Sequence, residues 1–234
     1  MSSHVMLIGL AQGSAAAPRT APFHGIVRSR GWSALSLYVD PGDLADETDT
    51  LALARRQNAV LSAYIAEADV LPVAFGSVFS GPEAVAEHIA RYANTWGKEA
   101  LRLNGLCEYS LHIVEAKAFT TPILQRREIG GKAFLLSKQR RRDARASLTE
   151  DRAKFVSRLM SAIQRSSVDT ADISRAGEGR IADVAFLQPR GEVHALMGEL
   201  DQEADQANRL GLDCRIVGPC PAYSFVQPEL IDGG

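Results

Sequence analysis

The 234-residue sequence predicts an α+β protein of two domains. Three observations carry that expectation. The composition, 46% hydrophobic and 23% charged, suits a chain that buries an ordinary core. The length exceeds that of most single domains. From residue 105 onward the hydrophobic patterning reads β-α-β-β-α-β, the ferredoxin-like order, with a four-stranded antiparallel sheet and both helices on one face. The expected division is therefore 1–104, an N-terminal α+β domain, and 105–234, a C-terminal ferredoxin-like domain.

In the first half, Val5–Leu10 is a short apolar run of strand length, followed by the Ala- and Pro-rich loop Ala11–Pro22. Phe23–Val27 and Ala34–Val39 are the next strands, the second ending at the turn Asp40-Pro-Gly. A helix is expected from about Asp49 to Glu67, because Leu53, Val60, Leu61, Tyr64, Ile65 and Ala68 share one face. Leu71–Phe79 reads as one strand, with Pro72 near its start, where a missing N–H is tolerated. Ser80-Gly-Pro-Glu83 has capping-box spacing and opens a second helix with the stripe Val85, Ile89, Tyr92 and Trp96. Gly97 is expected to interrupt it, and Asn104-Gly105 to end what remains.

In the second half, Cys107, Tyr109, Leu111 and Ile113 alternate with polar neighbours, the period of a half-buried strand. A long helix is expected from about Gly131 to Ser166, its last part striped by Leu148, Phe155, Val156, Leu159, Met160 and Ile163. Strands at Val168–Ser174 and Ile181–Gln188 flank the turn-rich residues 175–180. A helix at Val193–Leu210 stops before Gly211, and Leu212–Val217 is the last strand.

Bulk properties narrow the function. A formal net charge of -2 sets up no field that favours nucleic acid. Three cysteines without a Cys-x-x-Cys pair suit a reducing compartment. No run approaches the roughly 18 apolar residues of a membrane span, and Met-Ser-Ser-His does not begin a signal peptide. A cytoplasmic protein is expected.

Local chemistry is sparse. Gly9-Leu-Ala-Gln-Gly13 has the wrong glycine spacing for a phosphate loop, and prolines follow where a helix should start. The acids of Asp40–Asp49 lack EF-hand spacing and suit a helix amino terminus instead. His4, His24, His88, His112 and His194 form no metal motif; His112 and Glu115, three apart on a strand, point to opposite faces. There is no nucleophile elbow. The basic stretch Lys138–Arg145, without interleaved aromatics, reads as a solvated helix face. No catalytic, cofactor-binding or metal residue is expected.

The most distinctive strings are Leu71-Pro-Val-Ala-Phe-Gly-Ser-Val-Phe79 and Gly218-Pro-Cys-Pro-Ala-Tyr-Ser-Phe-Val226. Both are apolar, aromatic and pinned by proline and glycine, which specifies backbone geometry rather than proton transfer. Together with Gly105-x-x-Glu108-Tyr109, the Gly131–Leu136 helix start and Ala185-Phe-Leu187, they make the chain resemble the gas vesicle GvpF/GvpL family over Gly25–Val226. Three positions depart from the pattern. Ala74 replaces a basic residue, Cys220 a Trp between the prolines, and Asn58 a His.

The resemblance implies two α+β domains, the second ferredoxin-like, and an accessory or minor structural role in gas vesicle assembly. It implies contact with the small hydrophobic shell protein and other gas vesicle proteins, at the vesicle or in the cytoplasm. It implies no enzyme activity, cofactor, nucleic acid, membrane or small-molecule substrate, and leaves F-type and L-type open. The structural or interaction residues it marks are Pro72, Phe75, Gly76, Gly218, Pro219, Pro221, Tyr223 and Phe225. The alternative from fold alone is a small-molecule-binding or enzymatic ferredoxin-like protein. Because Tyr223, Phe225 and Val226 would be wasted on a loose tail, Gly218–Val226 is expected to pack against the body, with disorder from Pro228.

Overall fold

The computed structural model describes residues 4–116, 131–174 and 179–227. The expectation for Pro228 onward, and most of the 175–180 turn, lie outside them. Among the described residues, two sheets and four α-helices make up the α+β fold. Five strands form the first sheet: β1 (His4–Gln12), β2 (Gly25–Ser29), β3 (Trp32–Val39), β4 (Leu71–Pro72) and β5 (Val78–Phe79). Their order is β2-β3-β1-β4, with β5 also paired to β1. A short 3₁₀ turn, Pro41–Leu44, leads into α1 (Glu47–Ile65), and α2 (Pro82–Arg102) follows β5.

β1 is buried from Val5 to Ala11, as a strand covered on both faces must be. Met6 and Ile8 join Leu35 and Leu37 of β3 beneath Val60, Leu61, Tyr64 and Ile65 of α1. α2 packs against β1, β2 and β5 through the sheet's other face, burying Val85, Ile89 and Trp96. The Asp46 carboxylate caps α1 by accepting from Thr48 N and Asp49 N at 2.8 and 3.1 Å. The glycine read against a phosphate loop has a packing role. A Cβ on Gly9 would lie 2.6 Å from Leu61 Cδ2 and 3.1 Å from Leu71 O.

Four sequence expectations need correction. Leu71–Phe79 is two short strands rather than one; both ends pair with β1, and the residues between them turn outward at Gly76, φ +89°. Ser77 Oγ closes that turn by donating to Ala74 O at 2.9 Å. The capping box does not form, because Gly81 is the N-cap of α2 and makes no side-chain cap. Pro82 opens the helix, where no N–H is needed. Gly97 does not interrupt α2. A helical glycine costs about 1 kcal/mol, which the burial of neighbouring Trp96 outweighs. The last strand continues past Val217 through Pro219 to Cys220, since it lies at a sheet edge, where proline removes no interior ladder bond.

The second sheet has β6 (Leu106–Glu115), β7 (Asp169–Asp172), β8 (Arg180–Pro189) and β9 (Leu212–Cys220) in the order β7-β8-β6-β9. The last strand lies beside the first and the central pair is β8-β6, the ferredoxin-like arrangement. The helices α3 (Gly131–Ser166) and α4 (Val193–Leu210) pack on each other. They bury Phe155, Leu159 and Ile163 of α3 with Val193, Leu196, Ala207 and Leu210 of α4. Gly211 ends α4 in the left-handed region, φ 64°. Lys138, Arg140, Arg141, Arg142 and Arg145 are exposed on α3.

His112 and Glu115 do part company. His112 Nδ1 meets the buried Asp183 at 2.7 Å, and Arg180 reaches the same carboxylate at 2.6 Å. Glu115 pairs with Arg152, whose Nε donates to Leu210 O at 2.7 Å.

The sheets fall on either side of residues 104 and 105. Compact units group the chain as Met1–Tyr109 with Leu187–Arg190 and Gly218–Gly234, and as Ser110–Phe186 with Gly191–Val217.

Candidate functional site

Both distinctive strings belong to the first of these units, and one buried side chain joins them. Gln57, on the apolar face of α1 and 3% exposed, donates Nε2 to Val73 O at 2.9 Å and to the Tyr223 hydroxyl at 3.2 Å. One amide therefore holds the Leu71–Phe79 turn and the terminal segment together. The remaining polar atom, Gln57 Oε1, is buried without a hydrogen-bond partner among the described residues. Sequence reasoning missed Gln57, although a polar residue between Leu53 and Val60 on a buried stripe was a usable signal.

The terminal segment is packed structure. After the cis Gly218–Pro219 bond, Pro221 to Val226 fold into a tight turn in which Tyr223 N donates to Pro221 O, and Phe225 N and Val226 N donate to Ala222 O. Ala222, Phe225 and Val226 are buried at 5, 9 and 5% exposure. Two charged residues hold the turn from outside. Arg102, paired with the buried Glu99 at 2.7 Å, donates to the Phe225 carbonyl. Glu108 receives both Ser224 N and Ser224 Oγ at 2.8 Å, one on each carboxylate oxygen.

Glu108 is buried at 6% exposure, whereas Ser110 and His112, the next polar residues of the strand, are half-buried. That position in β6 was expected to face out, and only the distant Ser224 explains why it does not. Burial pushes the Glu108 carboxyl up, and the Ser224 bonds offset part of the rise. The native state thus binds this proton more tightly than the unfolded chain, so stability from Glu108 is greatest below the ordinary carboxyl range. It falls as pH rises through the raised value. Glu108→Gln should flatten that fall. Urea midpoints of parent and variant between about pH 4 and 8 check it, and parallel curves would contradict it.

The marked residues divide into buried anchors and exposed rings. Pro72 is buried opposite Gly9, and Pro221 is buried with Ala222. Gly218 permits the close approach of β9 to Tyr109, and Pro219 lies exposed beside it. Phe75 and Tyr223 remain 38% and 37% exposed, with Gly76 forming the turn beside Phe75. Burial pushes the Tyr223 phenol up to about 12, against the bond from Gln57. The hydroxyl therefore stays protonated at neutral pH. Asn58, beside Gln57, is exposed.

Other chemistry in the unit is limited. A cavity of about 230 Å³ is lined by Trp32, Ile65, Leu71, Leu103 and Ala222, with Asp69 and Arg190 among its polar residues. Asp69 and Arg190 are paired to each other at 2.6 Å. Among the described residues no group of three or more His, Cys, Asp or Glu could hold a metal ion. None of their helices is long and apolar enough to cross a membrane.

Comparison with known proteins places this geometry. Residues 24–227 match the model of the family described as gas vesicle synthesis protein GvpL/GvpF. The fold resembles the crystal structure of the gas vesicle protein GvpF from Anabaena sp. PCC7120, with a TM-score of 0.69 and 17% identity over 97% of each chain. It also resembles GvpF from Microcystis aeruginosa, with a TM-score of 0.70 and 16% identity over 96% of this chain and 99% of that one. Curated proteins contain no match. The two solved structures carry the fold, while the family model spans both distinctive strings and the β6–β9 half between them. On that match the chain belongs to the gas vesicle GvpL/GvpF family.

Proposed function

We propose that this chain acts in gas vesicle assembly, as an accessory or minor structural component that contacts the small hydrophobic shell protein. The supporting observation is the Gln57 junction, which fixes two proline- and glycine-pinned segments and leaves Phe75 and Tyr223 partly exposed. Aromatic rings on stiff backbone offer contact area at small ordering cost, and Tyr adds a hydrogen-bonding end. A shell protein rich in apolar surface is the complement such rings fit. The reading assigns the chain no catalytic step, cofactor or small-molecule substrate, and places it at the vesicle or in the cytoplasm that builds it.

Deleting the gene in its host should cripple vesicle formation, and the protein should co-purify with the shell protein. Phe75→Ser should weaken that association by about tenfold or more, the scale of a lost interface anchor, at an unchanged urea midpoint. Tyr223→Ser should lose binding and some stability together, because it also removes a partner of Gln57 Nε2. Normal vesicles in the deletion strain, with no detectable association, would overturn the proposal.

A further inference from the structure

Cys107 and Cys220 lie on adjacent strands, β6 and β9, and both belong to the unit that holds the Gln57 junction. Backbone bonding sets which residues of these strands face each other. Ala116 N donates to Gly211 O at 3.0 Å, so 116 opposes 211. Odd positions of β6 turn the other way, to β8: Glu115 N donates to Gly179 O, and Gly105 O accepts from Arg190 N. Seven residues back from Ala116 is Tyr109, and seven on from Gly211 is Gly218. A Cβ on Gly218 would lie 2.4 Å from the Tyr109 ring, so the register holds that far.

β9 continues through the cis Gly218–Pro219 bond to Cys220, and two more residues in each direction bring Cys107 and Cys220 to neighbouring places on the two strands. Facing residues of antiparallel strands stand about 4.5–5.5 Å apart at Cα, inside the roughly 4.4–6.8 Å span of disulfides. Burial is the main cause of the raised Cys220 thiol, and charge on Cys107 adds to it, as expected of near neighbours. Both are free thiols in this structure.

We infer that Cys107 and Cys220 form a reversible cross-strand disulfide, closed by a small disulfide oxidant of the glutathione type. Cys220 is half-buried and Cys107 is 1% exposed, which sets the order of events. The Cys220 thiolate attacks one sulfur of the oxidant, forming a mixed disulfide and releasing the other half as a thiolate. The Cys107 thiolate then attacks Cys220 Sγ and displaces the second half. The two protons lost by the cysteines end on the two released thiols, so one disulfide is reduced as another forms. Burial pushes both protein thiols up, although Arg190 lies beside Cys107 and favours its thiolate. Closure should therefore be slow at neutral pH and faster in mild alkali.

The test incubates the native full-length chain with oxidised glutathione at about pH 7 and 9, followed by thiol alkylation, intact mass and peptide mapping. The expected result is loss of two of the three thiols and of two hydrogens in mass, with a Cys107–Cys220 peptide that dithiothreitol releases. The rate should rise about tenfold or more at the higher pH, and Cys214→Ser should behave as the parent. In Cys107→Ser, glutathione should remain attached at Cys220. Glutathione accumulating on Cys220 of the parent, a linkage through Cys214, covalent dimers, or no reaction at either pH would each overturn the inference.

Discussion

Gly218→Ala should destabilise the protein by about 3–5 kcal/mol, summing a backbone and an overpacking contribution. The backbone contribution arises because Gly218 has φ +145°, which L side chains rarely adopt. Overpacking follows from what a Cβ would meet: the Tyr109 ring at 2.4 Å and the Glu108 carbonyl oxygen at 3.0 Å. Neither neighbour can yield cheaply. Tyr109 is 4% exposed, so its ring has nowhere to swing, and the carbonyl belongs to the adjacent strand. Gly76→Ala supplies the control. Its φ is +89°, but nothing lies within 4 Å of the added Cβ. That variant should lose only the conformational part, about 1–2 kcal/mol. The check is the urea midpoint of both variants. Equal losses would mean that the close approach to Tyr109 carries no energy and that backbone preference alone selects glycine at 218.

The contrast between these glycines shows where sequence reading reached and where it stopped. The ferredoxin-like half was legible because its elements are long and periodic. Cys107 to Ile113 alternate, α4 runs from Val193 to Leu210 as expected, and Gly211 ends it in the left-handed region. The strand order then follows from the element order. Local pattern could not show that Leu71–Phe79 breaks in the middle, because an apolar run reads the same whether it pairs continuously or at its two ends. The stripe of α1 could flag Gln57 as buried, but neither its partner nor that of Glu108 could be read locally. A buried polar side chain is explained by its partner, and these partners, Tyr223 and Ser224, lie in a distant part of the sequence. The last strand was expected to end at Val217, and only the sheet order reveals the edge where Pro219 is tolerated. The two strings were recognised as distinctive, but their meeting at Gln57 required the fold.

Phe225→Ala should cost about 3 kcal/mol, the lower end for removing a buried aromatic ring. The ring sits in a turn closed by Phe225 N and Val226 N on Ala222 O, with Ala222 and Val226 also buried. Its own exposure is 9%, so the substitution leaves a hole as well as losing apolar burial. The Arg102 contact reaches the Phe225 backbone carbonyl and survives the change, as do both Ser224 bonds to Glu108. The loss therefore measures the ring rather than the clasp. Phe225→Leu should recover most of it, since Leu fills much of the same space. Truncation after Gly218 should cost more than Phe225→Ala, because it also leaves the buried Glu108 carboxylate and Gln57 amide without these partners. The measurement is the denaturation midpoint of the three variants beside shell-protein binding. If Phe225→Ala and the truncation unfold like the parent yet no longer bind the shell protein, the segment is an exposed recognition strand and its packing contributes nothing to stability.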